Sequence, residues 1–232
     1  MALADDIQTL TTRTLSELAE SHDYYTFTKR VWRLLQEVVD EGRKLAYLNP
    51  TTGTRVDEHV LLVRSQRFVA GNLASSSFQH FVSLFEDFIF ELLRLWLAAY
   101  PASLSKKQVE IGGSEGTDKN AIVLSVVDKE LNELKYERLA DWFVYLERLA
   151  KLECPTADEI EQLAEIKASR DILVHNHGIA NAIYVSKSGT RARYLDGDKL
   201  DVPEQYHRES WQMINKVVRD VSIAAIAKVR PG

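Results

Sequence analysis

The chain has 232 residues, of which 45% are hydrophobic and 27% are charged, and its formal net charge is −5. This composition is typical of a globular protein with a real core, and the negative charge argues against indiscriminate binding of nucleic acid, which needs a broadly basic surface. No apolar run reaches the roughly 18 residues of a membrane span, so we expect no membrane segment.

Cysteine usage and the start of the chain bear on its location. Cys154 is the only cysteine, so no intramolecular disulfide can form, and a reducing cytoplasm is the expected compartment. The first residues carry neither the basic nor the apolar stretch of a secretory signal. A small basic site on this acidic protein stays compatible with its charge, since positive charge can be concentrated in one cleft.

Helical periodicity dominates the N-terminal part of the chain. Apolar spacing predicts one helix over residues 5–20, a second over 25–47, and a third pattern from 56 to 99 with a break around 71–77. A break is expected at 49–53, where asparagine, proline and glycine cluster. The stretch 101–120 reads as a flexible loop, because its glycine run lacks the Gly-Lys-Ser/Thr ending and the preceding strand of a nucleotide loop.

The later part of the chain also predicts helices. Residues 121–152 indicate one or two of them, and the capping box from Thr156 to Glu159 opens another. Alternating residues around Asp-Gly at 193–202 predict a short β-hairpin, and a last helix is expected over 204–229. We therefore expect a single all-α domain, with N-terminal helices over 1–100, the loop over 101–120, and further helices over 121–232.

One segment combines charge and proton chemistry at a fixed spacing. Residues 170–178 read RDILVHNHG, with Arg170 and His175 five positions apart near the end of a helical pattern. A guanidinium fits phosphate oxygens, and an imidazole exchanges a proton near neutral pH. The two side chains are about 140° apart on a regular helix, whereas Asp171 and His175 share a face, so that the carboxylate is positioned to orient the imidazole.

The same nine residues resemble the signature of the HEPN superfamily, whose domains are helical bundles. The family pattern is an arginine, a polar residue, a few further residues and a histidine. Here Asp171 fills the polar position and three residues separate it from His175. The extension to Asn176, Gly178 and Tyr184 is similar to a RiboL-PSP-type branch, and the resemblance covers residues 170–184 only.

The resemblance implies a metal-independent endoribonuclease that acts as a homodimer, with two motifs forming one composite cleft. It implies catalytic roles for Arg170, Asp171, His175 and Asn176, and no cofactor or metal ion. His175 would be the general base or acid and Arg170 would stabilise negative charge on the phosphate. RNA is the expected partner, and a toxin or defence role with an antitoxin partner follows from the family alone.

Four further residues are candidates for contacts with the substrate. Lys187, Arg191 and Arg193 follow the motif closely and form a basic edge that suits phosphate, although a solvated basic loop has the same composition. Tyr184 joins them through the family resemblance. The scattered histidines lack the spacing of metal ligands, so we expect no structural metal.

Two other hypotheses stay open from the sequence. The chain is a non-catalytic module that binds RNA, a nucleotide or a protein, or it is a structural helical protein whose motif residues form a buried ion pair. Tight binding without turnover would favour the first hypothesis. Burial of Arg170 and His175 away from any cleft would favour the second.

Overall fold

The computed structural model describes residues 2–44, 47–104 and 119–229. Within these ranges the chain is all-α with a single small β-hairpin, as the sequence predicts. The helices are α1 (Ala2–Asp40), α2 (Glu58–Arg67), α3 (Ala74–Ala99), α4 (Lys119–Lys135), α5 (Leu139–Ala150), α6 (Ala157–His175), α7 (Ala182–Ser188) and α8 (Glu204–Lys228). The strands are β1 (Tyr47–Leu48) and β2 (Arg55–Val56).

Helix α1 is longer than the sequence predicts. We expected separate helices over 5–20 and 25–47, but one helix runs unbroken through the polar residues between them. Ser21 and Tyr25 lie four positions apart and both face the core, which carries the helical register across this stretch. The helix then ends at Asp40, seven residues before the predicted end.

The β-hairpin lies at a different place from the one predicted. The expectation at 193–202 is wrong, because this stretch forms only an isolated antiparallel bridge between Ile179 and Lys199. The hairpin instead surrounds the predicted break at 49–53, and pairs Tyr47 with Val56 and Leu48 with Arg55. The side chain of Asn49 accepts a hydrogen bond from the amide of Thr51 at 2.8 Å and so holds the turn.

The break predicted around 71–77 does not occur, but the helix type changes next to it. A π-helix at Phe68–Leu73 joins α2 to α3 without interrupting the chain of helices. Of the predicted loop 101–120, Pro101–Ser103 form a 3-10 turn and α4 begins at Lys119. The glycine run of that loop lies outside the described residues.

Helix α3 is the centre of the packing. It contacts α1, α4, α6 and α8, and its apolar residues recur at the spacing of an amphipathic helix, so that a wide face is buried. The fully buried side chains of this face are Phe78, Phe81, Val82, Phe85, Phe88, Ile89, Leu92, Leu93 and Leu97. One core cluster extends from Ile7 on α1 to Ala225 on α8.

A buried histidine lies where α1, α3 and α8 meet. His207 is fully buried, its Nε2 atom lies 3.2 Å from Ser77 Oγ, and its ring stacks on Tyr25 at 4.1 Å between centroids. His22 also stacks with His207, at 6.1 Å between ring centroids. Burial, reinforced by the nearby His22, lowers the pKa of His207 to about 4, although Glu204 opposes the shift.

This histidine makes stability depend on pH. Above pH 6.5 the ring is neutral in both states, whereas below it the unfolded chain takes up a proton that the folded chain excludes. The free energy of unfolding should therefore fall as the pH drops from about 6.5 to 4, by roughly 3 kcal/mol from His207 at 1.4 kcal/mol per pKa unit. Urea titrations of the wild type and His207→Gln across this range measure the difference. Equal pH dependence in the two proteins would contradict the assignment.

Candidate functional site

Helix α6 carries the RDILVH segment and has clear signals at both ends. At the start, the Thr156 side chain accepts a hydrogen bond from the amide of Glu159, and the Glu159 carboxylate accepts one from the amide of Thr156. This confirms the predicted capping box. At the end, the amides of Asn176 and Gly178 both donate to the carbonyl of Ile172 at 3.0 Å. Gly178 adopts a φ of 73°, which favours glycine, so the helix stops directly after the motif.

The Arg170 guanidinium is held between α6 and α3. Its Nη2 atom donates to Ser83 Oγ at 2.9 Å and lies 3.7 Å from a carboxylate oxygen of Glu86, while Nη1 donates to Asp171 at 3.1 Å. The side chain is only 19% exposed. Arg170 is therefore an oriented, largely buried cation, and its freedom to reach a substrate is limited to its exposed fraction.

Asp171 is surrounded by positive charge. Its carboxylate accepts a hydrogen bond from Lys167 at 2.9 Å, contacts Arg170, and lies 3.7 Å from the ammonium group of Lys187. Burial pushes the pKa of Asp171 upward, but the ammonium group of Lys167 and the Arg170 guanidinium outweigh burial and leave the pKa below its usual value. Asp171 is thus a fixed anion at the centre of the cluster.

Glu86 on α3 completes this charged cluster, which consists of Glu86, Lys167, Arg170, Asp171 and Lys187. Its carboxylate lies 3.6 Å from Lys167 and 3.7 Å from Arg170. Burial raises the pKa of Glu86, and the two cations only partly oppose the shift. With three cations and two carboxyl groups, the cluster is net positive even when both carboxyls are ionised.

His175 lies outside the charged cluster. Its side chain is exposed at the last position of α6 and makes no hydrogen bond or ion pair with any part of the chain that the structure describes. The expectation that Asp171 orients this imidazole is wrong for the single chain, because Lys167 lies one turn earlier and takes the carboxylate instead. Asn176 likewise donates to the carbonyl of Ile179 and closes its own turn.

Tyr184 and Arg193 belong to a second, buried network around Glu165. One oxygen of Glu165 accepts hydrogen bonds from Tyr184 Oη and Arg193 Nε, both at 3.0 Å, and the other accepts one from Tyr206 Oη at 2.8 Å. Tyr184 is 1% exposed. The expectation that Tyr184 contacts substrate is therefore wrong for this conformation. Arg193 also stacks on Tyr206 and so helps to hold the Glu165 network together.

The other two predicted substrate residues differ in their surroundings. Arg191 forms ion pairs with Asp158 and Glu161 on the first turns of α6. Lys187 is 37% exposed and borders a cavity of about 310 Å³ beside the charged cluster. Lys167 and Arg138 also line this cavity. Of the predicted basic edge, Lys187 is thus the residue that joins the cluster to a cavity.

Sequence reasoning missed the residues of α3 that bind the motif. Ser83 and Glu86 are 87 and 84 positions from Arg170, and no local pattern connects them to α6. The available signal was the interruption of an apolar helix by a carboxylate, since Glu86 stands between Phe85 and Phe88 on the most buried helix of the chain. Lys167, three positions before Arg170, was a second signal.

The described residues contain no group of three or more His, Cys, Asp or Glu residues placed to hold a metal ion. Within the same ranges, no helix is both long and apolar enough to cross a membrane.

The fold and the cluster define an all-α protein with a net-positive charged site on α3, α6 and α7. At the end of α6 stands His175, which has no polar partner among the described residues. Comparison with models of protein families, with curated proteins and with solved structures gives no match. The HEPN resemblance therefore rests on residues 170–184 alone and stays a prediction.

Proposed function

We propose that this chain is a metal-independent endoribonuclease that cleaves single-stranded RNA. One observation carries the proposal: His175 is exposed, and has no polar partner among the described residues, at the end of the helix that holds Arg170 in a net-positive cluster. An exposed imidazole without a structural partner is available for proton transfer. The cluster, which the same helix helps to form, supplies positive charge for a phosphodiester.

The proposed reaction needs only proton transfer and charge stabilisation. The ribose 2′-oxygen attacks the adjacent phosphorus and loses its proton to a histidine acting as general base. The bond from phosphorus to the 5′-oxygen breaks, and that oxygen receives a proton from a general acid. Positive charge from Arg170, together with Lys187 at the cavity edge, stabilises the phosphoryl oxygens as negative charge develops. The products carry a 2′,3′-cyclic phosphate and a 5′-hydroxyl.

A homodimer with a composite cleft fits this chemistry. The mechanism uses two proton-transfer groups, and each chain offers one exposed histidine at the end of α6. A two-fold axis near this helix end would bring two copies of His175 to one phosphodiester, one as base and one as acid. Asn176, half-buried beside His175, would orient the substrate or the imidazole in that arrangement.

The biological setting of the proposal comes from the family resemblance. It includes a toxin or defence role and an antitoxin or other protein partner. The proposed cytoplasmic location rests instead on the single cysteine of the chain, Cys154.

A non-catalytic module that binds RNA, a nucleotide or a protein is the second candidate function. It is favoured by the engagement of both Nη atoms of Arg170, which already contact Ser83, Glu86 and Asp171. A cation held in this way contributes to the field of a binding surface without approaching the reacting atoms.

The end groups of the products test the proposed function. Purified protein is incubated in EDTA with a mixed-sequence single-stranded RNA, and with the same sequence made as 2′-deoxy nucleotides. We expect cleavage of the RNA alone, with 2′,3′-cyclic phosphate ends that mass spectrometry identifies by the absence of one water. Products with 3′-hydroxyl ends, or cleavage of the deoxy strand, would overturn the mechanism. Retention of RNA on the protein without cleavage would favour the second candidate.

A further inference from the structure

The second half of α1 carries an exposed apolar stripe, which we call the α1 seam. Its members are spaced alternately three and four residues apart, the heptad spacing of a helix that packs along a second helix. They are Tyr24, Phe27, Val31, Leu34 and Val38. The first four are 64%, 66%, 54% and 43% exposed, and Val38 is partly exposed. Large contiguous apolar patches of this kind mark interaction surfaces.

The seam lies on a part of the molecule without a core of its own. Between Tyr25 and Ala74, the only buried residue among those described is Ser65. The N-terminal half of α1, in contrast, buries Ile7, Leu10 and Leu18 against the bundle. The side chains of the seam therefore lie outside the core cluster of this chain.

We propose that the α1 seam of one chain packs antiparallel against the α1 seam of a second copy. The heptad spacing is self-complementary, and a two-fold axis uses the same surface on both copies. The seam exposes on the order of 400 Å² of accessible surface per copy, most of it from Tyr24 and Phe27, which are about two-thirds exposed, and the rest from Val31 and Leu34. A specific interface takes about 800 Å² per partner, so the seam alone supplies about half of that area. Arg30 and Glu37, which are 59% and 57% exposed beside it, extend the contact surface.

The charges beside the seam select the antiparallel orientation. Arg30 and Glu37 occupy equivalent flanking positions one heptad apart, and their side chains lie 3.9 Å from each other. The opposite flank carries Thr28 and Leu35, which are uncharged. In an antiparallel pair the two charged flanks meet, so Arg30 of each copy faces Glu37 of the other. In a parallel pair each charged flank would face the uncharged one, and no complementary pairs would form.

In the antiparallel register, Val31 packs against Leu34 of the second copy and Phe27 against its Val38. The register is centred between Trp32 and Arg33, where the two-fold axis would lie. The α1 seam is on a different helix from Arg170 and His175, so this interface does not rest on RNA cleavage. It is separate from the contact proposed at the end of α6, and a chain that uses both two-fold contacts would assemble beyond a dimer.

Substitution of the seam tests the interface. Analytical ultracentrifugation of the full chain over a concentration series should show that the wild type self-associates. Val31→Glu combined with Leu34→Glu should remove the association step that the seam provides, because two carboxylates per copy would be buried in the seam. Val144→Glu combined with Ile223→Glu is the matched control, since those side chains are 68% and 69% exposed on other helices. A wild-type monomer, or a seam variant that associates as strongly as the wild type, would overturn the proposal.

Charge reversal tests the orientation. In the Arg30→Glu variant, acidic side chains face each other at both contacts between positions 30 and 37 of the two copies. In the Glu37→Arg variant, basic side chains face each other at the same two contacts. Each variant should therefore dimerise through the seam at least tenfold more weakly than the wild type. Mixing the two variants should restore complementary pairs and give a heterodimer, which a mass tag on one variant reveals. Unchanged dimerisation of both single variants, or failure of the mixture to pair, would overturn the antiparallel arrangement.

Discussion

Replacement of His175 with alanine is expected to lower the rate of RNA cleavage by about 10²–10⁴-fold, the contribution of a positioned acid or base. The side chain is exposed and makes no polar contact within the described residues, so its removal should change the free energy of unfolding by no more than about 0.5 kcal/mol. Initial rates on a fluorescent single-stranded RNA, beside a urea titration of both proteins, measure the two effects separately.

His177→Ala is the matched control for this experiment. His177 is also exposed and lies only two positions away, but it follows the end of α6 and adopts a left-handed backbone conformation with φ 52°. We expect His177→Ala to retain RNA cleavage within a few-fold of the wild type. Equal activity of His175→Ala and the wild type would contradict the assignment of His175 as the proton-transfer group.

Local signals in the sequence predicted the start of α6, and a further local signal is present at its end. Thr156 and Glu159 form their reciprocal hydrogen bonds as a capping box does in isolation, and Gly178 supplies the left-handed end. Both devices act within a few residues, so their physics is already present in the sequence. The fold class was predictable for the same reason, since helical spacing recurs along most of the chain.

Long-range packing decided the features that the sequence did not predict. Polar residues between 20 and 25 suggested a break in α1, yet Ser21 and Tyr25 both face the core and keep the helix continuous. The Asp-Gly stretch at 193–202 resembles a hairpin turn, but the chain closes there over the end of α6 through Ile179 and Lys199. Neither outcome follows from local preference alone.

In the candidate site, too, some features follow from the local sequence and others depend on long-range packing. The positions of Arg170 and His175 on one helix followed from their spacing, because a helix has a fixed rotation per residue. The partners of Asp171 and Arg170 come from other elements, with Glu86 and Ser83 on α3 and Lys187 on α7. Electrostatic competition among these groups took Asp171 away from the imidazole, and it depends on the tertiary fold.

The network around Glu165 is the most demanding polar arrangement in the described core. Glu165 is 4% exposed, and its carboxylate accepts four hydrogen bonds, the shortest from Ser169 Oγ at 2.7 Å. The other donors are Tyr184, Arg193 and Tyr206. Burial, assisted by the nearby carboxylate, raises the pKa of both tyrosines, so their hydroxyls stay protonated and keep donating.

Replacement of Glu165 with leucine is expected to lower the free energy of unfolding by about 3–5 kcal/mol, because it leaves the half-buried Arg193 without its counter-charge. The double variant Glu165→Leu with Arg193→Met removes both charges and should be more stable than Glu165→Leu alone. Its remaining deficit would reflect the unpaired hydroxyls of Tyr184 and Tyr206. Urea unfolding followed by circular dichroism measures all three proteins. A loss below about 1 kcal/mol for Glu165→Leu, or a double variant less stable than the single one, would contradict the conclusion that the Glu165–Arg193 charge pair stabilises the fold around α6.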